Sequence, residues 1–242
     1  MLALSVVIPA YNEEKRLPQT LSSVHSFLTA TDIDFELVVV NDGSTDNTVG
    51  MVEDFAKHHA GVRLISYGAN RGKGYAVRAG VLASNGEQVL IDDADGNAPI
   101  EELSKLRDAV VSGADVALGS RNKPNSDTVI KSLAYRTLMG NTFNRLVQTL
   151  LLPGIYDSQC GFKLFKRKCA QDVFAVSMVN GYAFDVEILF IAKIHGYKIS
   201  EVAVNWNNVP GSKVNVVVDS IKMFVDVINI RLQAASGNYR QK

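Results

Sequence analysis

Gln88-Val89-Leu90-Ile91-Asp92-Asp93-Ala94-Asp95-Gly96-Asn97 is the stretch on which the reading of this chain turns. A short apolar run that reads as a buried strand ends abruptly in three carboxylates and an amide. The pattern recurs on both sides. Leu4-Ser5-Val6-Val7-Ile8 runs into Pro9-Ala10-Tyr11-Asn12-Glu13, Glu36-Leu37-Val38-Val39-Val40 into Asn41-Asp42-Gly43-Ser44, and Asp115-Val116-Ala117-Leu118 into Gly119-Ser120-Arg121; Val62-Arg63-Leu64-Ile65 is a fifth such run. Helical patterns fill the gaps around residues 14–29, 46–59, 73–84 and 100–112. Strands alternating with helices predict an α/β fold built on a doubly wound sheet. Ligands bind such sheets at the carboxyl ends of the strands, where the polar clusters fall.

The chemistry follows from the spacing. Asp93 and Asp95 point the same way if the backbone stays extended, so both can meet one hard cation, with Asn97 offering a third oxygen. Magnesium or manganese held in this way takes one or two carboxylates and completes its shell with substrate phosphates. An Asx-rich turn capping the helix that begins near Pro99 explains the same residues without a ligand. The basic stretch Gly68-Ala69-Asn70-Arg71-Gly72-Lys73-Gly74 is not a P-loop, because Gly74 stands where Ser or Thr would bind magnesium. It reads either as a glycine turn that caps a helix or as a loop presenting Lys73 to a diphosphate.

Composition narrows the partners. Of 242 residues 47% are hydrophobic, and 25 Lys and Arg balance 25 Asp and Glu, which argues against a nucleic-acid binder. Two cysteines, Cys160 and Cys169, supply no disulfide framework and fit a reducing compartment. No run approaches the ~18 apolar residues of a spanning helix, and residues 1–11 lack the basic leader of a signal peptide. The expectation is a cytoplasmic protein with one domain over residues 1–242. Two amphipathic stripes, residues 131–152 and 214–232, read either as core helices or as helices lying on a membrane surface.

Taken together, Pro9 to Glu14, Asn41 to Thr48, Asn70 to Gly74, Asp93-Ala94-Asp95 and Gly119-Ser120-Arg121 resemble, in order and spacing, glycosyltransferase family 2 with its GT-A fold. Asp157-Ser158-Gln159-Cys160-Gly161-Phe162-Lys163, Ala183-Phe184-Asp185-Val186-Glu187, Val204-Asn205-Trp206 and Gly211-Ser212-Lys213 narrow the likeness to the polyprenyl-phosphate sugar transferases, most closely the dolichyl-phosphate glucosyltransferase branch. That resemblance implies a GT-A type mixed, mainly parallel sheet with C-terminal amphipathic helices. It also implies a nucleotide-sugar site at Pro9, Tyr11, Glu13, Asp42, Lys73, Asp93 and Lys213, with Mg2+ or Mn2+ on Asp93, Asp95 and Asn97. Arg121, Arg136 and Gln159 match the acceptor-phosphate side, and Asp95, Asp157 and Arg121 the catalytic positions.

The implied reaction is inverting transfer of glucose from UDP-glucose to a polyprenyl phosphate at the cytoplasmic face of a membrane. An acceptor phosphate with a second pKa near ~6 is already largely anionic, so no strong base is required. Alternatives are a family 2 transferase using GDP-mannose or a soluble or polysaccharide acceptor, and a non-catalytic UDP-sugar-binding protein. Trp206 and Cys160 read as packing residues.

Overall fold

Apolar runs that are buried on both faces dictate the centre of the molecule. In the computed structural model, which describes residues 2–121, 143–207 and 216–240, every residue of β1 (Leu4–Ala10) is buried, as are all but the first of β2 (Phe35–Asp42). With β3 (Val62–Tyr67), β4 (Gln88–Ile91), β5 (Val116–Ser120), β6 (Lys163–Lys166) and β7 (Ile199–Ala203) they form a seven-stranded sheet ordered β3-β2-β1-β4-β6-β5-β7. Only β6 runs against its neighbours β4 and β5; the other pairings are parallel. The carboxyl ends of β1, β2, β4 and β5 therefore share one edge. The antiparallel β6 begins there, which delivers residues 157–162 to the same place.

Helices α1 (Leu17–Ala30), α2 (Thr48–His58), α3 (Lys73–Leu82), α4 (Leu103–Val111), α5 (Arg167–Phe174), α6 (Phe184–Ile194) and α7 (Val216–Ala235) cover the sheet. In α1 the buried side is Leu17, Thr20, Leu21, Val24 and Leu28, a helical stripe. The helix starts at Leu17, three residues later than its apolar pattern suggests, with a proline in its first turn. The 100–112 pattern divides into a 3-10 turn, Ile100–Glu102, and α4. β6, β7, α5 and α6 are absent from the sequence reading. β6 is four residues long with a lysine at each end, and β7 opens half-buried, so neither offers a continuous apolar run.

Of the first amphipathic stripe, residues 131–142 lie outside the described residues. Residues 143–150 are helical, and Val147, Leu151 and Leu152 join the core. In the second stripe α7 buries Met223, Val227 and Ile230, while Ile221, Phe224, Val225, Ile228 and Leu232 are exposed on the other side. No helix among the described residues is long and apolar enough to cross a membrane.

At the edge away from the carboxyl ends, Glu36 joins four segments. Its carboxylate accepts from the Ser5 hydroxyl at 2.6 Å, the Asn85 amide at 2.6 Å and Arg63 Nε at 2.8 Å. Burial pushes this pKa up, but the bonds from Arg63, Ser5 and Asn85 outweigh it and hold the group below the usual range. The stabilisation is full above the unfolded pKa of about 4.3 and is lost as pH falls through the lower folded value. Glu36→Gln should cost about 1.5 kcal/mol at neutral pH and much less in acid, measured by urea unfolding across a pH series. An equal cost at both ends of the series contradicts this role.

Candidate active site

Asp92, Asp93 and Asp95 follow β4 directly, and their surroundings give them three different states. Asp92 is buried, and burial together with the charges of Asp93 and Asp95 pushes its pKa well above the usual carboxylate range. Burial acts on Asp93 in the same direction. Lys73, Lys163 and Arg121 overcome it and hold Asp93 ionised, with Lys73 Nζ 2.7 Å from Asp93 Oδ1. For Asp95, burial and the charge of Asp93 push the pKa up to about 6, against the pull of Lys73 and Arg16. Arg16 Nη1 lies 3.5 Å from Asp95 Oδ2, and the same guanidinium binds Glu13 at 2.8 and 2.6 Å.

Two crowded carboxylates whose like charges repel suit a hard divalent cation. Among the described residues no group of three or more His, Cys, Asp or Glu could hold a metal. Asp93 and Asp95 would therefore need further oxygens, from Asn97 or from a substrate. Asn97 sits in the turn that follows, its amide donating to Asp95 Oδ1 at 3.3 Å and its carbonyl accepting from the Asn207 amide at 2.7 Å.

The turns after β1 and β2 are joined to each other. Asn12, at φ 54°, accepts the Thr45 amide at 2.7 Å; the Asn12 amide donates to Ser44 Oγ and the Glu13 amide to Thr48 Oγ1, both at 2.8 Å. Pro9 is buried within β1, and Tyr11 is exposed at its end. Asp42 accepts the Arg71 amide at 2.7 Å and the Gly72 amide at 2.9 Å, so it fastens the basic loop to the end of β2. Arg71 stacks against Tyr67 and Tyr75, 5.6 and 4.8 Å from the ring centroids.

Gly72 has φ 101°, and a Cβ there would fall 2.4 Å from the Asn180 carbonyl oxygen; the Gly74 amide donates to that same carbonyl at 2.8 Å. The glycines thus allow the loop to close on the segment before α6. The amides of Gly72 and Gly74 are occupied within the protein, and the loop's contribution to the site is Lys73.

At the end of β5, Arg121 and Asp157 form a bidentate pair. Nε and Nη2 each donate at 2.7 Å, and the Arg121 amide adds a third bond at 2.9 Å to the same buried carboxylate. Glu201 accepts the amides of Tyr156 and Asp157, which fixes that turn. Burial opposes the Arg121 charge, but Asp157 raises its pKa, and the guanidinium lies 4.9 Å from the Trp206 ring. Trp206 is buried, so it packs under Arg121. The Cys160 thiol is buried and pushed up to about 12 by burial and then by Asp157, which makes it inert. Gln159 faces α7, its Nε2 3.9 Å from Met223 Sδ.

The fold gathers Asp93, Asp95, Lys73, Glu13, Arg121 and Asp157 on one edge, and Arg136 and Lys213 lie outside the described residues. Arg16 is a contributor that sequence reasoning passed over, and Gly161, Lys163 and Asp185, read from the sequence only as motif positions, make contacts that the motifs do not specify. Arg16 stands one turn into a helix pattern, and Lys163 is enclosed in a short apolar run; neither position signals a site by itself.

A doubly wound mixed sheet with an acidic turn after its fourth strand is the architecture of the GT-A glycosyltransferases. The chain belongs to glycosyl transferase family 2, whose family model matches residues 5–174. It is 38% identical over 251 residues to a dolichyl-phosphate beta-glucosyltransferase of Dictyostelium discoideum, covering 99% of this chain and 77% of that protein. The Saccharomyces cerevisiae enzyme of the same name is 39% identical over 255 residues, covering 98% and 76%. In fold it is similar to the crystal structure of mannosyl-3-phosphoglycerate synthase from Rubrobacter xylanophilus, with a TM-score of 0.73 at 21% identity over 97% of this chain and 75% of that one. Glucosyl-3-phosphoglycerate synthase from Mycobacterium tuberculosis, solved with Mn2+, UDP-glucose and phosphoglyceric acid, gives 0.70 at 18% identity over 95% and 80%.

One contact makes the acidic turn testable. Gly161 rests against Asp93 so closely that a Cβ would fall 2.1 Å from Asp93 Oδ2. Gly161→Ala should displace that carboxylate and lower nucleotide affinity by about tenfold or more, with little loss of thermal stability. Unchanged affinity, measured by calorimetric titration with UDP and a divalent cation, argues that Asp93 lies outside the donor site.

Proposed function

We propose that the protein transfers glucose from UDP-glucose to a polyprenyl phosphate of the dolichyl type, with inversion at the anomeric carbon. The observation that carries the acceptor is the Arg121–Asp157 pair. Both Asp157 oxygens accept from Arg121, so Asp157 positions a cation and is poorly placed to take a proton. A fixed cation whose partner carboxylate is fully engaged suits an acceptor that is already anionic, such as a phosphate, better than a sugar hydroxyl. The glucose and dolichyl assignments draw on the relatives at 35–39% identity.

The acidic turn serves the donor. Asp93 and Asp95, with Asn97, would hold Mg2+ or Mn2+, which when bound supplies positive charge to the departing diphosphate. Lys73 adds a fixed cation beside Asp93, and Arg16, held by Glu13, adds one beside Asp95. Tyr11 and Asp42 sit at the ends of β1 and β2, where the nucleoside would lie, while Lys213 and Arg136 would meet the phosphates. Asp42 keeps lone pairs for a ligand N–H while it holds the Arg71 and Gly72 amides.

A lipid acceptor calls for a surface that reaches the headgroup layer. The α7 stripe Ile221, Phe224, Val225, Ile228 and Leu232 lies on one face of the helix, opposite the residues that pack into the core. We assign it to peripheral contact with the cytoplasmic leaflet, within one catalytic domain spanning residues 1–242.

Radiolabelled transfer from a panel of UDP- and GDP-sugars to polyprenyl phosphate should give product with UDP-glucose and a divalent cation. Asp95→Ala should reduce it by more than about 100-fold. Product from GDP-mannose and not from UDP-glucose would overturn the donor assignment. In liposome flotation, association should survive moderate salt and be lost in Phe224→Ser/Ile228→Ser; binding abolished by salt alone contradicts an apolar contact.

A further inference from the structure

Lys163 touches no substrate in this scheme, yet it is fully buried in the middle of the sheet. On β6 it pairs with Ile91 of β4 and Leu118 of β5, the residues that lead into the acidic turn and toward Arg121. Its Nζ donates to Asp185 Oδ1 at 2.5 Å and to the carbonyl oxygen of Cys160. Asp185 is itself buried in the first turn of α6, where the helix N-terminus favours a negative charge.

Stability is a weak reason for such a pair. Desolvating two charges is costly, and well-packed apolar replacements are often neutral or better. The Cys160 carbonyl belongs to the peptide that joins Cys160 to Gly161, and the Asp93 carboxylate rests against Gly161. One lysine therefore fixes the peptide that walls the donor carboxylate and places a positive charge behind it.

We infer that Lys163 is a positioning residue for the donor site: seated by Asp185, its ammonium clamps the Cys160–Gly161 peptide against which the Asp93 carboxylate is set. This rests on the assignment of Asp93 to the donor, and the experiment separates the two. Lys163→Met alone leaves Asp185 buried and uncompensated and is expected to unfold the protein, so the informative variant is K163M/D185N, which removes both charges.

Three readouts apply: thermal midpoint, affinity for UDP with MnCl2 by calorimetry, and a ligand-free crystal structure. K163M/D185N should melt close to the wild type but bind UDP with MnCl2 about tenfold or more weaker, with the Asp93 carboxylate displaced in the crystal. Lys163→Arg, which keeps the charge and the donors, should retain most of the affinity. A double variant that melts and binds like the wild type, with Asp93 unmoved, reduces the pair to a structural role and overturns the inference. So does a folded Lys163→Arg that binds no better than the double variant. Should the wild type itself fail to bind UDP with MnCl2, the donor assignment falls, and the position of Asp93 in the ligand-free variant still decides the role of Lys163.

Discussion

Crowding carboxylates at the end of one buried strand is the constraint around which this molecule is arranged. Asp92, Asp93 and Asp95 cannot all ionise without compensation, and each is treated differently: the pKa of Asp92 is pushed well up, that of Asp93 is held down, and that of Asp95 is pushed up to about 6. The compensating cations come from separate parts of the chain, Arg16 from the turn before α1, Lys73 from the start of α3, Arg121 from the end of β5 and Lys163 from β6. Three of them are seated by their own carboxylates, Glu13, Asp157 and Asp185. The result is an alternation of charge that converges on the acidic turn, which explains how a chain of zero net charge can carry a polar site.

Backbone contact makes that arrangement rigid. Gly161 lies against Asp93, Gly72 closes on Asn180, and Asp42 ties the basic loop to β2. Glu187 extends the support: it accepts the amides of Met178 and Val179 at 2.9 Å and the Tyr239 hydroxyl at 2.7 Å, which links the segment under the basic loop to the turn that follows α7. Side chains held in this way meet a ligand without reorganising, which is how fixed charges contribute most to a charged transition state.

Much of the first half was legible in the sequence because its strands are apolar on both faces, and an uninterrupted apolar run has few other readings. Leu4 to Ala10 and Phe35 to Asp42 were readable for that reason, as were the polar turns after them. β6 was not, since a strand that begins and ends in lysine carries no hydrophobic signature, and its meaning depends on two strands distant in sequence. At the acidic turn, the placement of Asp93 and Asp95 together at a strand end was readable from their spacing. The engagement of both Asp157 oxygens by Arg121 was not, because a motif specifies residue types and leaves their pairing to the fold. The two faces of α7 were equally hidden, since both are apolar and only packing separates Val227 from Phe224.

In the proposed reaction, donor and acceptor chemistry meet at the edge where β1, β2, β4 and β5 end, with the acidic turn on the donor side and the Arg121–Asp157 pair on the other. The most direct measurement is a crystal structure of the protein grown with UDP and Mn2+, with anomalous scattering used to locate the metal. The expected result is a manganese peak at the Asp95 carboxylate, with the UDP diphosphate completing its shell and the uracil beside the ends of β1 and β2. A manganese peak away from the acidic turn, or UDP bound elsewhere on the sheet, would contradict the assignment of this edge as a sugar-nucleotide site.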